Sequence, residues 1–193
     1  PKLVMNKTRI NWLGAKDNYD KANEKGKFLT FNCGGGYGYI QGLVGSERLL
    51  IAIAEEPEWV KDMMKTMVDL VMSVAEELMS VFKFDGAFYY DDMGYKNSSL
   101  FSPACYKEIF FPYHKKIWGF FNSNKMPVIL HSCGCVKGLI PMLIEAGLTC
   151  LQPLEVKAGM DLIELKKDYG EKLTFMGGID VRKMKDPNPK VIE

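Results

Sequence analysis

The chain has 193 residues, of which 47% are hydrophobic, and its 25 basic and 24 acidic side chains leave a net charge of +1. This apolar content suffices for the core of one domain, or for a large part of one. The balanced charge gives no long-range field to attract nucleic acid or an anionic membrane. No apolar run approaches the ~18 residues of a membrane-spanning helix, and no signal-peptide pattern is present at the start. We therefore expect neither nucleic acid nor a membrane as a partner.

The five cysteines are odd in number and their spacings do not suggest a disulfide framework, so we expect a cytoplasmic protein. The chain starts at Pro1 and ends at Glu193, shortly after a helix-start signal at 186–189. Neither end is typical of a natural terminus. We expect the chain to belong to a longer protein.

Residues 1–27 are polar, with Trp12 and Tyr19 as their large anchors, and we predict an irregular N-terminal segment there. A strand follows, and then a short helix opens at Ser46. From 58 to about 82, apolar residues recur at every third or fourth position, which predicts a long amphipathic helix.

Short apolar runs then alternate with helical patterns along the chain. The predicted strands are 28–32, 85–90, 126–131, 148–152 and 172–176. The predicted later helices are 104–122, 135–146 and 160–169. This alternation indicates a parallel sheet in an α/β fold.

Two α/β architectures fit this order of elements. A doubly wound sheet is complete with five strands, whereas a (β/α)8 barrel needs about 250 residues. The unusual chain ends favour the barrel. We predict that 28–193 form a partial TIM barrel of about five βα units, with the N- and C-terminal parts of the barrel absent.

Polar residues follow several of the predicted strands, at the end where parallel barrels carry their active sites. The catalytic candidates are Asp91 and Asp92. The candidate substrate-binding residues are Tyr90, Gln152, Glu155, Gly177 and Asp180. Each of these residues could instead serve as a helix cap or loop residue. Their occurrence at several strand ends favours the interpretation that they converge on one cleft. Since neighbouring strand-end residues point to opposite sides, we expect one aspartate to face the cleft and the other to brace a loop.

A histidine and two thiols end the strand at 126–131. His131 and Cys133 are two residues apart, so an extended backbone points both side chains to one face. Either residue alone is explained by burial in the core, but the pair favours a zinc site, because zinc prefers imidazole and thiolate ligands. Cys135 is a possible third ligand, although it is predicted to enter the following helix. His114 is interpreted as structural, because it lies within an amphipathic helix.

The glycine-rich loop at 33–38 follows a strand but lacks the Gly-Lys-Ser/Thr ending of a phosphate-binding loop. We interpret it as a point where a ligand or another chain segment approaches the backbone closely.

Several of these segments resemble the uroporphyrinogen decarboxylase superfamily. They include Tyr-Asp-Asp-Met-Gly at 90–94, His-Ser-Cys-Gly at 131–134, Leu-Gln-Pro-Leu-Glu at 151–155 and Met-Gly-Gly-Ile-Asp at 176–180. The resemblance runs from about 27 to 182. It implies a (β/α)8 barrel longer than this chain, in agreement with the partial barrel predicted from the strand pattern.

The His-x-Cys-Gly motif resembles the branch of zinc-dependent methyltransferases, which move a methyl group between a corrinoid protein and a thiol or other acceptor. In that branch the histidine and the first cysteine bind zinc, which implies His131 and Cys133, and a second cysteine would fall beyond Glu193. The decarboxylase branch carries an arginine-rich N-terminal motif that is not in this chain. A tyrosine that the decarboxylases have in the segment after the first glycine loop is replaced by Leu43, which counts against porphyrinogen decarboxylation.

The resemblance thus implies zinc as a cofactor, and a small molecule or a corrinoid protein as the substrate. Two alternatives are decarboxylation of a tetrapyrrole and a catalytically inactive module that binds a corrinoid or tetrapyrrole. Because a partial barrel leaves sheet edges and an apolar face uncovered, we also expect a homodimer that covers the open side.

Overall fold

The structure is a computed structural model that describes residues 5–185, so the helix-start signal at 186–189 lies outside the described part. The strands are β1 Thr30–Cys33, β2 Gly86–Tyr90, β3 Val128–His131, β4 Cys150–Gln152 and β5 Thr174–Phe175. The α-helices are α1 Trp12–Glu24, α2 Tyr37–Val44, α3 Ser46–Glu55, α4 Pro57–Met79, α5 Pro103–Cys105, α6 Phe111–Ser123, α7 Ile140–Glu145 and α8 Leu162–Tyr169. A π-helical turn, Tyr106–Phe110, joins α5 to α6.

The five strands form one parallel sheet in the order β1-β2-β3-β4-β5. Neighbours in the chain are thus neighbours in the sheet, as in consecutive βα units of a (β/α)8 barrel. The register pairs Tyr90 with His131 and His131 with Gln152, so the polar strand ends meet at one edge. All five predicted strands are confirmed, and the fold is α/β, arranged as part of a TIM barrel.

One face of the sheet is covered by helices, while the other carries the side chains that face the interior in a barrel. Tyr89 points into the helical layer, where its ring contacts Trp118 of α6. Its neighbours Phe88 and Tyr90 point the other way and lie against the ring of His131. This alternation places His131 on the face that forms the cleft.

Helix α4 confirms the long amphipathic helix predicted from residue periodicity. Its apolar stripe, which includes Val60, Met64 and Val68, is fully buried. Pro57 stands in its first turn, where a missing N–H costs nothing. The helix therefore belongs to the helical layer, where it packs against α2, α3 and α6.

The prediction of an irregular segment before β1 is wrong for Trp12–Glu24, which form α1. The side chain of Asn11 accepts a hydrogen bond from the backbone N–H of Gly14 and caps the helix. Trp12 and Tyr19 both contact Phe82, with ring centroids 6.4 and 5.0 Å away. Since Phe82 precedes β2, this packing holds α1 near the amino end of the sheet and stabilises a helix that has no buried residue.

The predicted helix at 135–146 begins later than expected. A 3-10 turn occupies Lys137–Leu139, and α7 starts at Ile140, with Pro141 in its first turn. Cys135 instead forms a β-bridge with Tyr95, whose carbonyl accepts its N–H at 2.7 Å. Within the described part of the chain, no helix has both the length and the apolar content to cross a bilayer.

Candidate metal centre

Asp92, His131 and Cys133 come together at the carboxyl end of the sheet. One potential ligand atom from each residue lies within 4.8 Å of the other two. The Sγ atom of Cys133 is 3.5 Å from Nε2 of His131, and the same nitrogen is 3.7 Å from Oδ1 of Asp92. The three groups belong to the ends of β2 and β3, which the sheet register brings side by side.

The spacing and chemistry of these groups fit a zinc ion. Zinc bonds of about 2.3 Å to sulfur and about 2.0 Å to nitrogen, at tetrahedral angles, separate the two ligand atoms by about 3.5 Å. The Cys133–His131 separation has this value. Thiolate, imidazole and carboxylate are all zinc ligands, and a catalytic site typically has three protein ligands and one open position.

Gln152 fixes the orientation of His131. Its Oε1 atom lies 2.5 Å from Nδ1 of His131, and because an amide oxygen only accepts, Nδ1 is the donor. The neutral imidazole then keeps its lone pair on Nε2, the atom that faces Cys133 and Asp92. Gln152 was a candidate for substrate binding, but the structure places it behind the histidine, where hydrogen-bonded partners tune metal ligands.

A tight turn positions Cys133. The N–H of Cys133 donates to Oδ1 of Asp92 at 2.8 Å, and the N–H of Gly134 donates to Oε2 of Glu155 at 2.6 Å. Gly134 has a φ of +77°, and a Cβ atom there would lie 2.4 Å from the backbone of Gly94, so glycine is required. Glu155, a predicted substrate-binding residue, thus braces the turn that carries the thiol.

Burial raises the pKa of the Cys133 thiol, and the charges of Asp92 and Glu155 raise it further. The pKa of Glu155 is lowered, chiefly by Lys157, whose Nζ atom lies 2.7 Å from Oε1 of Glu155. These effects favour the thiol over the thiolate, whose charge the neighbouring carboxylates would repel. A cation placed among these groups favours the thiolate and relieves the repulsion.

Cys135 does not join the three clustered groups, which corrects its place as a possible ligand. It is 7% exposed and belongs to the hydrophobic core. The alternation that brings Cys133 beside His131 does not extend to Cys135, because the left-handed Gly134 between the two cysteines breaks the extended backbone. Alternation along a strand holds only while the chain stays extended.

The two aspartates have separate surroundings, as predicted. The Asp92 side chain is 54% exposed and lies in the cleft. Asp91 is 1% exposed; its Oδ1 accepts the N–H of Gly38 at 2.7 Å, and its Oδ2 lies 3.0 Å from Nε2 of His114. Asp91 therefore braces the start of α2, and this contact explains the glycine-rich loop as a close approach of backbone to carboxylate.

The remaining predicted substrate-binding residues lie around this centre. Tyr90 is half exposed, with its ring centroid 5.5 Å from that of His131. Asp180 lines a cavity of about 180 Å³ together with Cys133, but it also pairs with Arg182, which holds its pKa at about 2. Gly177 has a φ of +116°, and its backbone passes so close to that of Pro153 that a Cβ atom would not fit.

Sequence reasoning missed Asp92 as a potential ligand. It gave Asp91 and Asp92 as catalytic candidates only, because the sequence showed no more than their position after a strand. The signal that could have found Asp92 is the strand register: once Tyr90 pairs with His131, Asp92 is the residue beside Cys133.

A parallel sheet of consecutive βα units with ligand-type side chains at its carboxyl edge defines part of a barrel-type fold with a candidate metal centre. The chain belongs to the uroporphyrinogen decarboxylase (URO-D) family, whose sequence profile matches residues 26–193. No curated protein matches the sequence significantly. A methyltransferase from Methanosarcina mazei has a similar structure, with a TM-score of 0.63 and 16% sequence identity over 82% of this chain. The chain spans 45% of the length of that protein.

Proposed function

We propose that this chain carries the zinc centre of a methyltransferase that moves a methyl group between a corrinoid protein and a thiol or other acceptor. The observation that carries the proposal is the cluster of Asp92, His131 and Cys133 at the carboxyl edge of the sheet. Membership of the URO-D family and the likeness to a methyltransferase support it.

The ligands would be Sγ of Cys133, Nε2 of His131 and a carboxylate oxygen of Asp92. When bound, zinc lowers the pKa of an incoming thiol and so supplies a nucleophilic thiolate at neutral pH. Gln152 holds His131 in the tautomer that leaves Nε2 free, and Asp92 and Glu155 hold the backbone turn around Cys133.

A cavity of about 460 Å³ opens beside Cys133 and gives the acceptor a place to bind. It is lined by Gly94, Tyr95, Lys96, Asn97, Cys133, Gly134, Glu155, Lys157 and Ala158. Because Cys133 lies at its wall, a group bound there reaches the metal position without crossing the helical layer. We propose this cavity as the acceptor side of the centre.

The test is the zinc content of the purified protein and of two cysteine variants. Cys133→Ser should lose most of its bound zinc, because a hard hydroxyl replaces a soft thiolate. Cys135→Ser is the matched control and should keep its zinc, since that thiol lies in the core. Equal zinc content in all three proteins would contradict the ligand role of Cys133.

A second assay separates methyl transfer from the alternatives. Zinc-loaded protein is incubated with methylcobalamin and a small thiol, and demethylation is followed from the change in corrinoid absorbance. Turnover that fails in Cys133→Ser supports methyl transfer. A zinc-free protein that decarboxylates a tetrapyrrole would favour the decarboxylase alternative, and binding of a corrinoid without turnover would favour the inactive module.

A further inference from the structure

A second polar cluster lies on the opposite side of β2 from the candidate metal centre. Its members are Asp91, His114 and Tyr106, each at most 1% exposed. The hydroxyl of Tyr106 bonds Nδ1 of His114 at 2.9 Å, and Nε2 of the same ring lies 3.0 Å from Oδ2 of Asp91. The His114 ring also stacks on Trp118 at 4.6 Å between centroids.

Groups on three helical segments surround the buried carboxylate of Asp91, whose Oδ1 accepts a hydrogen bond while Oδ2 has no hydrogen-bond partner within the described residues. A buried carboxylate costs several kcal/mol unless it is paired and hydrogen-bonded. Asp91 meets the N–H of Gly38 in α2 and the His114 imidazole of α6, which Tyr106 of the π-helical turn orients. Burial raises the pKa of Tyr106 well above its usual range, so its hydroxyl stays protonated and shares a hydrogen bond with Nδ1 of His114. This bond holds the ring with Nε2 3.0 Å from Oδ2 of Asp91.

The backbone around Asp92 is fastened on both sides. The N–H of Asp91 donates to the carbonyl of His131 at 2.9 Å, and the N–H of Met93 donates to Oγ of Ser132 at 3.0 Å. Asp92 therefore stands between two anchored residues, and its side chain points away from that of Asp91 into the cleft. A shift of Asp91 would turn the carboxylate of Asp92 relative to His131.

We propose that Asp91, His114 and Tyr106 form a positioning unit that sets the end of β2, so that the Asp92 carboxylate meets His131 and Cys133. Through this unit, the packing of three helical segments fixes the position of the Asp92 side chain in the cleft. The function of this unit rests on the proposed zinc centre. Its effect on the position of the Asp92 side chain does not depend on metal and can be measured in metal-free protein.

The test compares His114→Leu, which removes the imidazole beside Asp91, with His114→Gln, which retains a polar N–H group. Phe121→Leu is the control, because it disturbs the buried face of α6 at a residue that packs on Phe31 and not on His114. The metal-free measurement is hydrogen exchange at the Cys133 amide, which donates to Asp92. The metal-dependent measurement is Co²⁺ affinity.

We expect His114→Leu to speed exchange at the Cys133 amide more than at amides of β3, and to weaken Co²⁺ binding by about tenfold or more. His114→Gln should recover part of both effects, while Phe121→Leu lowers thermal stability alone. If His114→Leu does not fold, Tyr106→Phe replaces it, with a smaller effect expected in the same direction.

If His114→Leu lowers thermal stability while leaving Cys133 exchange at the wild-type rate, the positioning unit is overturned. Failure of the wild-type protein to bind Co²⁺ would count against the proposed function alone. The hydrogen-exchange rate of the Cys133 amide would still report the position of Asp92. The two failures are therefore distinguishable.

Discussion

At the scale of single residues, the acidity of Cys133 depends on its carboxylate neighbours. Burial and the charges of Asp92 and Glu155 raise its pKa, so in metal-free protein the alkylation rate by iodoacetamide should still increase above pH 9.0, the ordinary pKa of a thiol. Asp92→Asn removes one charge and should shift this profile to lower pH. Cys133→Ser identifies the signal of this thiol, and an unchanged profile in Asp92→Asn would show that the two groups do not interact.

Gln152 offers a second prediction at this scale. Gln152→Leu removes the acceptor for Nδ1 of His131 and should weaken zinc affinity by about 10- to 100-fold, because partners behind a metal ligand have effects of this size. Gln152→Glu keeps an acceptor oxygen and should retain most of the affinity. Competition with a chromophoric chelator measures both variants, and equal loss in the two would argue against a hydrogen-bonding role.

The sequence predicted His131 and Cys133 as partners because strand alternation is a local rule. The same rule failed at Cys135, since the positive φ of Gly134 is set by the close approach of Gly94, a contact distant in sequence. Asp92 was not recognised as a ligand because its place depends on the register between β2 and β3. Residues whose roles depend on long-range contacts are therefore those that sequence reasoning missed.

At the scale of elements, α2 shows how a helix forms where local propensity is poor. Its Gly36 cap has no side chain, and Asp91 supplies the missing acceptor from the end of β2. The glycine-rich sequence predicted a loop, because this cap lies 53 residues away from Gly38 along the chain. Strands and α4 were predictable because their apolar patterns are local and regular.

Gly36→Ala tests this long-range cap. A Cβ atom at Gly36 would lie 1.9 Å from Oδ2 of Asp91, so the carboxylate must move, and we predict a loss of about 1–3 kcal/mol in the free energy of unfolding. Gly42→Ala in the same helix meets no atom within 4 Å and should stabilise the protein by about 0.5–1 kcal/mol. Urea unfolding measures both, and equal effects would refute the cap.

At the scale of the whole molecule, the sheet has two edges within the described residues: β1 pairs only with β2, and β5 only with β4. Large apolar side chains lie exposed beyond β5, among them Met176 at 46% and Ile179 at 63%. Open edges and apolar patches favour association.

We predict that this chain self-associates in solution, with a mass that increases with concentration in light-scattering measurements. Ile179→Lys should weaken the association, whereas Leu13→Lys, an equally drastic change at an exposed position of α1, should not. A monomer throughout the concentration range would contradict this prediction.

The proposed zinc centre requires the ends of β2 and β3, the register between them, and the hydrogen bond from His131 to Gln152. X-ray absorption at the zinc edge of the purified, zinc-loaded protein tests it most directly. We predict a single sulfur ligand with nitrogen and oxygen in the remaining positions, and loss of the sulfur signal in Cys133→Ser. A sulfur signal that survives this substitution, or a protein that binds no zinc, would show that Cys133 is not a zinc ligand.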